Sequence, residues 1–295
     1  MTASRSDRIA FLGFGLIGGS IASALRGAGS TARLAAWTPT GAGPAEGVRL
    51  GLLDAAAPDA AGAIEGADLV IIAGPPLAIL DAIGDLGGPL RGRLAAGATI
   101  TDVASTKGAI CHAADEAGLR FVGGHPMAGR ETTGVGAATA ELFVDRPWVL
   151  VPGKHATARD VARVEALAIG VGARPMRLSA DEHDAAAAAI SHLPLVLAAA
   201  LVESVASSVE GAPSWPLARM LAASGWRDMT RLARGDPAMG AGILATNPQR
   251  VVDRLVALRA AIDAWIGGLD GEPDPQAIRA RLEAARAALD GRAGS

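Results

Sequence analysis

The 295-residue sequence contains no tyrosine, one cysteine and only two lysines, at positions 107 and 154. The single cysteine, Cys111, cannot form an intramolecular disulfide or supply a cysteine-rich metal site, so we predict no bound metal. The lack of tyrosine excludes the acid/base arrangement of short-chain dehydrogenases, in which a tyrosine works with a lysine.

The sequence also lacks a cluster of one charge sign and a long apolar run. Its formal net charge is −3 and no Lys/Arg cluster stands out, so there is no basic footprint for nucleic acid. Residues 1–8 are polar and lack the apolar core of a signal peptide. The longest apolar stretch, near 193–202, contains Pro194 and is shorter than the ~20 residues that span a bilayer. We predict a soluble cytoplasmic protein that binds neither nucleic acid nor membrane.

A glycine loop follows the first strand-like stretch, residues 8–12. Gly13, Gly15 and Gly18 have the spacing G-x-G-x-x-G, and a helical pattern begins at Ile17. In this context the glycines permit a tight turn, close approach to a pyrophosphate and close packing of helix on strand. The helix N-terminus then offers N–H groups to phosphates. The pattern predicts NAD or NADP as cofactor, and a plain glycine-rich turn is the alternative. The predicted cofactor contacts are Gly13, Gly15, Leu16, Ile17, Gly18, Thr38, Gly74 and Pro75.

The choice between NAD and NADP depends on the end of the second strand, residues 33–37. An acidic residue there would bind the ribose 2′-hydroxyl and favour NAD, but the position is Thr38. No arginine lies immediately beside it to bind a 2′-phosphate. We therefore expect only a modest preference. The loop at Gly74 and Pro75, after the strand at 68–73, either covers the cofactor or is simply a rigid turn.

Strands alternate with helices as far as residue 178, which predicts a doubly wound α/β sheet. After Ser179 the strand signal disappears and an alanine-rich helix is expected over 181–210, with a capping box at Ser179–Glu182 and a kink at Pro194. The remaining helices are expected at 215–234, 238–245, 248–266 and 275–289. The chain is therefore predicted to divide into an α/β domain, residues 1–179, and an all-helical domain, residues 180–295.

His125 lies where a strand at 119–123 ends, because Pro126 has no N–H and favours an extended residue before it. Ligands of open α/β sheets bind beyond the carboxyl ends of the strands. A neutral imidazole there suits a base for a hydroxyl proton, which typically contributes ~10²–10⁴-fold to rate. Ser105 follows the strand at 98–104 and could orient His125 or a substrate hydroxyl; capping of the next helix is the alternative.

Four other histidines and one polar cluster are less specific. His112, His155 and His183 are predicted at the surface, and His192 is either a core residue or part of a site at the Pro194 kink. In the cluster at 225–231, arginines four apart would share a helix face. The cluster comprises Arg227, Asp228 and Arg231, which are either solvated ion pairs or a fork for a substrate carboxylate.

Together these segments resemble the prephenate/arogenate dehydrogenases of tyrosine biosynthesis, over residues 8–250. The residues that carry the resemblance are those at 13–20, 102–107, 123–131, 142–143, 191–194 and 225–233, and the block around His125 is the most specific. The resemblance implies a Rossmann-like domain followed by a helical domain that forms a homodimer. It also implies NAD(P)-dependent oxidative decarboxylation of a cyclohexadienol carboxylate.

The resemblance also implies roles for individual residues. His125 would accept the ring hydroxyl proton, Ser105 would hydrogen-bond near both, and Arg231 would bind a substrate carboxylate. The remaining implied substrate contacts are a gating network of Glu131, Arg227 and Asp228, and a pocket wall at His192. No mutase domain is expected before residue 8 and no regulatory domain after residue 289, so tyrosine would inhibit at the active site if at all.

Two positions depart from the family pattern. Leu195 replaces a second histidine after Ser-His-Leu-Pro, and Gly240 stands where an aromatic residue is common. Both departures affect the expected contacts to the substrate side chain, so prephenate and arogenate stay open, and the block around His125 favours prephenate. A β-hydroxyacid dehydrogenase would need a lysine on the helix from Asp181, which has none. A dinucleotide-binding protein with a degraded substrate site is the non-enzymatic alternative.

Overall fold

The computed structural model describes residues 7–130, 132–206 and 215–291. One eight-stranded sheet organises the first part of the chain. Its strands are β1 Arg8–Leu12, β2 Arg33–Trp37, β3 Ala55–Ala56, β4 Leu69–Ile72, β5 Thr99–Asp102, β6 Phe121–Pro126, β7 Pro147–Pro152 and β8 Arg174–Arg177. The strand order is β3-β2-β1-β4-β5-β6-β7-β8. Strands β1 to β6 are mutually parallel, β7 is antiparallel to β6, and β8 is parallel to β7.

Helices connect and follow these strands. They are α1 Leu16–Gly27, α2 Ala42–Arg49, α3 Ala60–Ile64, α4 Pro76–Gly87, α5 Gly108–Glu116, α6 Ala158–Gly170, α7 Ala180–Ala187, α8 Leu193–Ala206, α9 Trp215–Met220, α10 Ser224–Thr230, α11 Pro237–Thr246, α12 Pro248–Leu269 and α13 Pro275–Leu289. The predicted fold class, a Rossmann-like doubly wound sheet followed by helices, is confirmed. The strand order reverses between β1 and β4, where ligands of such sheets bind.

The sheet is buried on both faces. Along β4, Leu69 and Ile71 point into one apolar cluster, whereas Val70 and Ile72 point into the cluster on the opposite face. All four side chains are buried, which is why this strand is a continuous apolar run and not an alternating pattern. The central strands therefore form a rigid base for the loops at their carboxyl ends.

The structure adds elements that the sequence pattern did not predict. The short α2, β3 and α3 lie in a stretch rich in Gly, Ala and Pro, where periodicity is weak. The antiparallel direction of β7 was also not predicted. It follows from the connection at 127–146, whose described residues contain 3₁₀ turns but no α-helix that could return the chain for a parallel pairing.

The helical run at Ala180–Ala206 has the predicted start and a modified kink. Ser179 and Glu182 form both hydrogen bonds of the capping box. A π-helical turn at Ala188–His192 lies just before Pro194, and the wider turn accommodates the proline that lacks an N–H. By length and composition alone this run could cross a membrane. A single helix of this kind is weak evidence, because the core helix of a soluble protein passes the same test.

Backbone contacts divide the chain into two units, residues 1–248 and 249–295. The second unit contains most of α12 and all of α13. There the Arg281 guanidinium lies 4.1 Å from the ring centroid of Trp265 and donates a 2.9 Å hydrogen bond to the carbonyl of Ala261. A boundary near residue 180 stays a prediction.

Candidate active site

The glycine loop makes a turn that only glycine can form. Gly13 has a φ of +94°, and a Cβ there would lie 2.4 Å from the carbonyl oxygen of Ala73. Its N–H donates a 2.9 Å hydrogen bond to the carbonyl of Trp37. The loop is thus held between the ends of β2 and β4, at the reversal of strand order.

The start of α1 has the form expected for a dinucleotide. A Cβ on Gly15 would meet nothing within 4 Å, so the main chain there faces open space. Leu16 begins the helix, and its first turn has neither a side-chain cap nor an acidic residue. A Cβ on Gly18 would come within 3.3 Å of the Gly13 carbonyl oxygen. The loop and helix therefore present N–H groups beside an open space that a pyrophosphate could fill.

The other predicted cofactor residues lie on the same edge of the sheet. Ile17 is in the first turn of α1, and Thr38 directly follows β2, where its hydroxyl accepts a 3.1 Å hydrogen bond from the Gly41 N–H. Gly74 and Pro75 form the turn between β4 and α4, and both are partly buried. The structure thus brings these positions to one rim.

A buried ion pair supports the rim next to this loop. Asp102 ends β5, and its carboxylate pairs with the ammonium of Lys107; both side chains are fully buried. The carboxylate also accepts 2.9 Å hydrogen bonds from the N–H groups of Ala104 and Gly124. One side chain therefore joins the ends of β5 and β6.

The two glycines before His125 leave room for that ion pair. A Cβ on Gly123 would lie 3.1 Å from Cδ of Lys107 and 2.9 Å from the sulfur of Cys111. A Cβ on Gly124 would lie 2.5 Å from the carbonyl oxygen of Asp102. Larger residues here would push β6 away from β5, and the imidazole of His125 would move with it.

His125 is the first member of a hydrogen-bonded chain. Its Nδ1 lies 2.7 Å from Nε2 of His183, and Nδ1 of His183 lies 2.8 Å from Oδ1 of Asp184. Asp184 in turn accepts hydrogen bonds from the N–H groups of Lys107, at 2.7 Å, and Gly108, at 2.8 Å. The chain therefore runs from the end of β6, through α7, to the N-terminus of α5.

One sequence prediction about this region, and one alternative, are wrong. His183 is not at the surface: it is 2% exposed, because α7 packs its His183 side against the sheet rim. Ser105 does not cap α5, since the N-terminal N–H groups of that helix are taken by Asp184. His112 and His155 are exposed, as predicted.

The environment of His125 favours its neutral form. Burial lowers the pKa of His125 well below its ordinary value, and positive charge on His183, Lys107 or His192 would lower it further. Burial opposes ionisation of Asp184, but the hydrogen bonds from His183 and two main-chain N–H groups outweigh it and lower the pKa of Asp184. The site therefore places an uncharged imidazole near a fixed carboxylate.

His192 forms a second, fully buried part of the rim. Its Nδ1 lies 3.3 Å from the amide nitrogen of Asn247, which also donates to the Asp184 carbonyl at 2.9 Å. Burial lowers the pKa of His192, opposed by the charge of Asp184 and by the nearby main chain of Ser105. Within the described ranges Nε2 of His192 makes no hydrogen bond of normal geometry, and none joins the side chain of Ser105 to His125.

The predicted substrate-binding cluster lies at the end of α10. Arg227 and Asp228 are exposed on that helix. The helix ends at Thr230, so Arg231 begins a separate 3₁₀ turn, and that turn packs against α8. The expected i, i+4 alignment of the two arginines on one helix is therefore interrupted. Glu131 lies outside the described residues.

Two domain families match consecutive stretches that together span residues 21–272 of the chain. The nucleotide-binding domain of prephenate dehydrogenase matches residues 21–177, and the prephenate dehydrogenase dimerization domain matches residues 179–272. The chain belongs to the prephenate dehydrogenase family. It is therefore an oxidoreductase by family, as the glycine loop and His125 suggested.

Curated relatives agree with this family. Prephenate dehydrogenase of Bacillus subtilis is 34% identical over 270 residues, which cover 90% of this chain and 68% of the relative. Cyclohexadienyl dehydrogenase of Zymomonas mobilis is 31% identical, with 90% of each chain covered.

Solved structures share the fold. Synechocystis arogenate dehydrogenase has a TM-score of 0.78 and 29% identity, covering 96% of this chain and 99% of its own. Prephenate dehydrogenase from A. aeolicus, solved with hydroxyphenyl propionate and NAD+, has a TM-score of 0.86, covering 98% and 99% of the two chains, and at 24% identity supports the fold alone.

The two departures from the prephenate dehydrogenase pattern meet in space. A Cβ added to Gly240 would lie 3.6 Å from Cδ2 of Leu195, which is an ordinary van der Waals contact. The leucine therefore lies beside the surface that the missing aromatic side chain would cover. The two departures are therefore neighbours in the structure, one on α8 and one on α11.

Sequence reasoning missed His183, Asp184 and Asn247 as members of this site. His183 and Asp184 follow the capping box of α7 and look like ordinary residues of a polar first turn. Asn247 directly precedes the helix that begins at Pro248, where a polar residue looks like an ordinary helix cap. The one available signal was that α7 begins directly after the last strand, which places its first turn next to the sheet.

Proposed function

We propose that this chain is a cytoplasmic NAD(P)-dependent prephenate dehydrogenase, which converts prephenate to 4-hydroxyphenylpyruvate and CO₂ in tyrosine biosynthesis. The observation that carries the proposal is the position of His125. It is the penultimate residue of β6, on the same edge of the sheet as the glycine loop, and its Nδ1 is hydrogen-bonded to His183. Family membership supplies the reaction for which this base is suited.

The cofactor would be held at the ends of β1, β2 and β4. Gly13, Gly15 and Gly18 fit a pyrophosphate for the reasons given above, and Thr38 would face the adenosine ribose. A bound nicotinamide would supply the hydride acceptor for the ring carbon that carries the substrate hydroxyl. No charged side chain stands at position 38, so the proposal includes both NAD and NADP.

His125 would move one proton out and back. Its second ring nitrogen, Nε2, would accept the hydroxyl proton as the ring carbon is oxidised to a carbonyl. The ring carboxylate then leaves as CO₂, and the electron pair of the broken C–C bond makes the ring aromatic. The oxygen becomes a phenolate, which takes the proton back from His125. The enzyme therefore ends in its starting protonation state, and prephenate loses only CO₂ and a hydride.

The remaining predicted residues would bind the substrate. Arg231 would hold a carboxylate through a charge-assisted contact, typically worth about 1.5–3 kcal/mol. Ser105 would contact the hydroxyl. The other proposed substrate contacts are His192 as a wall of the pocket and Glu131, Arg227 and Asp228 as the polar network at its entrance.

The residues at positions 195 and 240 favour prephenate over arogenate. Prephenate carries a keto group where arogenate carries an ammonium group, and the side chains of Leu195 and Gly240 offer an ammonium no hydrogen-bond acceptor. Two relatives at 34% and 32% identity also carry the name prephenate dehydrogenase. Arogenate is the alternative substrate, consistent with the Synechocystis neighbour.

We also propose a homodimer formed through the helical domain, with the domain boundary near residue 180. In a single chain, large apolar side chains of the helical segment remain exposed, including Met220 at 82% and Leu221 at 76%. Exposed apolar surface of this kind marks interaction sites. Sedimentation velocity should show a single species of twice the chain mass, and a stable monomer at micromolar concentration would contradict the proposal.

The test of function is a two-by-two assay of prephenate or arogenate with NAD or NADP, followed by the absorbance of the reduced nicotinamide. We expect turnover with prephenate and a slower reaction with arogenate. If arogenate is oxidised faster than prephenate, the substrate of this enzyme is arogenate. Cofactor binding without turnover of either substrate would support the non-catalytic alternative.

A further inference from the structure

His183 contacts the predicted base and Asp184 contacts His183, yet neither has a role in the reaction described so far. We propose that they are positioning residues that fix His125 in one tautomer, with the proton on Nδ1 and the lone pair on Nε2. Only the kinetic consequence of this proposal rests on the proposed function, because the tautomer is a property of the protein alone.

Asp184 is the fixed end of the arrangement. Its Oδ1 accepts from the Lys107 N–H at 2.7 Å and its Oδ2 accepts from the Gly108 N–H at 2.8 Å. Both carboxylate oxygens are therefore held at the N-terminus of α5, where negative charge is favoured. An ionised carboxylate has no hydrogen to donate.

The tautomer of His183 follows from that carboxylate. Because Asp184 only accepts, the 2.8 Å contact requires a hydrogen on Nδ1 of His183. A neutral His183 then has its lone pair on Nε2. The ring is buried and bonded at both nitrogens, so it cannot turn over without breaking two hydrogen bonds.

The tautomer of His125 follows in the same way. Nε2 of His183 lies 2.7 Å from Nδ1 of His125, and the two rings meet edge to face with their planes 75° apart. With the lone pair on His183, His125 must donate from Nδ1. The other tautomer of His125 would set two lone pairs against each other at that distance. Nε2 of His125 is therefore the atom left to accept a proton.

The arrangement would also support the protonated state of His125. When Nε2 accepts the substrate proton, the Nδ1–H donor belongs to an imidazolium, and its bond to His183 becomes charge-assisted. The charge of Asp184 lies at the far end of the same chain. This is the logic of a base oriented by a third group, with one additional ring between the carboxylate and the base.

Nuclear magnetic resonance of the ¹⁵N-histidine-labelled protein tests the tautomer directly. A long-range ¹H–¹⁵N spectrum at about pH 8, above the ordinary histidine pKa near 6.5, shows which ring nitrogen carries the proton. The signals of His125 are assigned by their loss in His125→Asn. We expect Nδ1 to be protonated in the unmodified chain. A proton on Nε2 of His125 in the unmodified chain would overturn the proposal.

Substitutions at His183 separate positioning from simple packing. Gln can still present an acceptor near the position of Nε2, whereas Phe fills the space and accepts nothing. We expect His183→Gln to keep the Nδ1–H tautomer of His125 and His183→Phe to lose it. The matched control is His112→Gln at an exposed histidine, which should change nothing. An unchanged His125 tautomer in a folded His183→Phe would contradict the proposal.

Kinetics give the second readout. His183→Phe should lower kcat by at least ~10-fold with KM changed little, because a wrong tautomer affects proton transfer and not binding. His183→Gln should recover most of that loss, and equal losses in both variants would contradict the proposal. An Nδ1–H tautomer in a chain that does not oxidise prephenate would refute the function and leave this inference standing.

Discussion

Replacing Lys107 by methionine tests how the rim beneath His125 is held. Lys107 and Asp102 are both fully buried, and the lysine supplies the positive charge next to that carboxylate. Methionine fills similar space but leaves the carboxylate with only main-chain donors, from Ala104 and Gly124. The variant thus removes the counter-charge and keeps the neutral hydrogen bonds.

The expected loss of stability is large because the Asp102 carboxylate would remain buried without its counter-charge. Removing one partner of a buried pair typically costs about 3–5 kcal/mol, a large share of a total stability of about 5–15 kcal/mol. For a chain of this size each kcal/mol lowers Tm by about 2–4 °C, so we expect a fall of roughly 6–20 °C. In Asp102→Asn/Lys107→Met both charges are gone, and the cost should be less than the sum of the single variants by about 0.5–3 kcal/mol.

Urea unfolding followed by tryptophan fluorescence measures all four proteins of this cycle, since Trp148 is buried in the core. The matched control is Lys154→Met at the exposed second lysine, which should change stability by less than about 0.5 kcal/mol. A loss of unfolding free energy below about 1 kcal/mol for Lys107→Met would refute the reasoning. A loss in the double variant equal to the sum of the two single-variant losses would refute it as well.

Three further predictions concern other parts of the chain. Burial opposes ionisation of Asp160, but hydrogen bonds from Arg120 and from threonine hydroxyls lower its pKa to about 2. Asp160→Asn should therefore lower the free energy of unfolding by about 1–3 kcal/mol at pH 7. This difference from the unmodified protein should shrink as the pH falls from about 3.8 towards 2, because the native carboxylate becomes protonated there. Acid denaturation curves that give the same difference at every pH would contradict the prediction. Burial raises the pKa of Cys111 to about 12, so iodoacetamide at pH 8 should label it only after unfolding, and rapid labelling of the folded protein, seen by mass spectrometry, would contradict its burial. The kcat/KM values for NAD and NADP should differ by less than about a thousandfold, roughly 4 kcal/mol. Thr38→Asp should shift the preference towards NAD, because a carboxylate at position 38 would bind the ribose 2′-hydroxyl. A shift towards NADP would mean that the side chain at position 38 does not face the ribose.

The features that sequence alone located are those with local signals. Gly13 is required by a positive φ and a close approach within its own turn, and both follow from the local strand–turn–helix pattern. His125 was found because Pro126 ends a strand directly after it. In both cases the residues that determine the structure are neighbours in the chain.

The features that were missed depend on contacts between distant segments. Asp184 accepts a hydrogen bond from the N–H of Lys107, which is 77 positions away in the sequence, and no periodic pattern in either helix predicts that contact. His183 is buried only because α7 docks on the sheet rim. The residues of β7 do not predict its direction either, because an antiparallel strand with both faces buried has the same apolar pattern as a parallel one.

Substrate recognition was the least accessible to sequence reasoning. The helical pattern at 215–234 was found, but its division into α9, α10 and a 3₁₀ turn was not. That division places Arg227 and Arg231 on two different helical elements. The contact between Leu195 and Gly240 likewise becomes visible only when α8 and α11 are packed together.

The central claim is that His125 is the base for the substrate hydroxyl proton, and the kcat of His125→Asn with prephenate measures it most directly. Asparagine retains a polar side chain of similar reach but cannot accept the proton, so kcat should fall at least ~10²-fold while the affinity for the dinucleotide is unchanged. His155→Asn, at an exposed histidine, is the control. Turnover of His125→Asn close to that of the unmodified enzyme would contradict the claim.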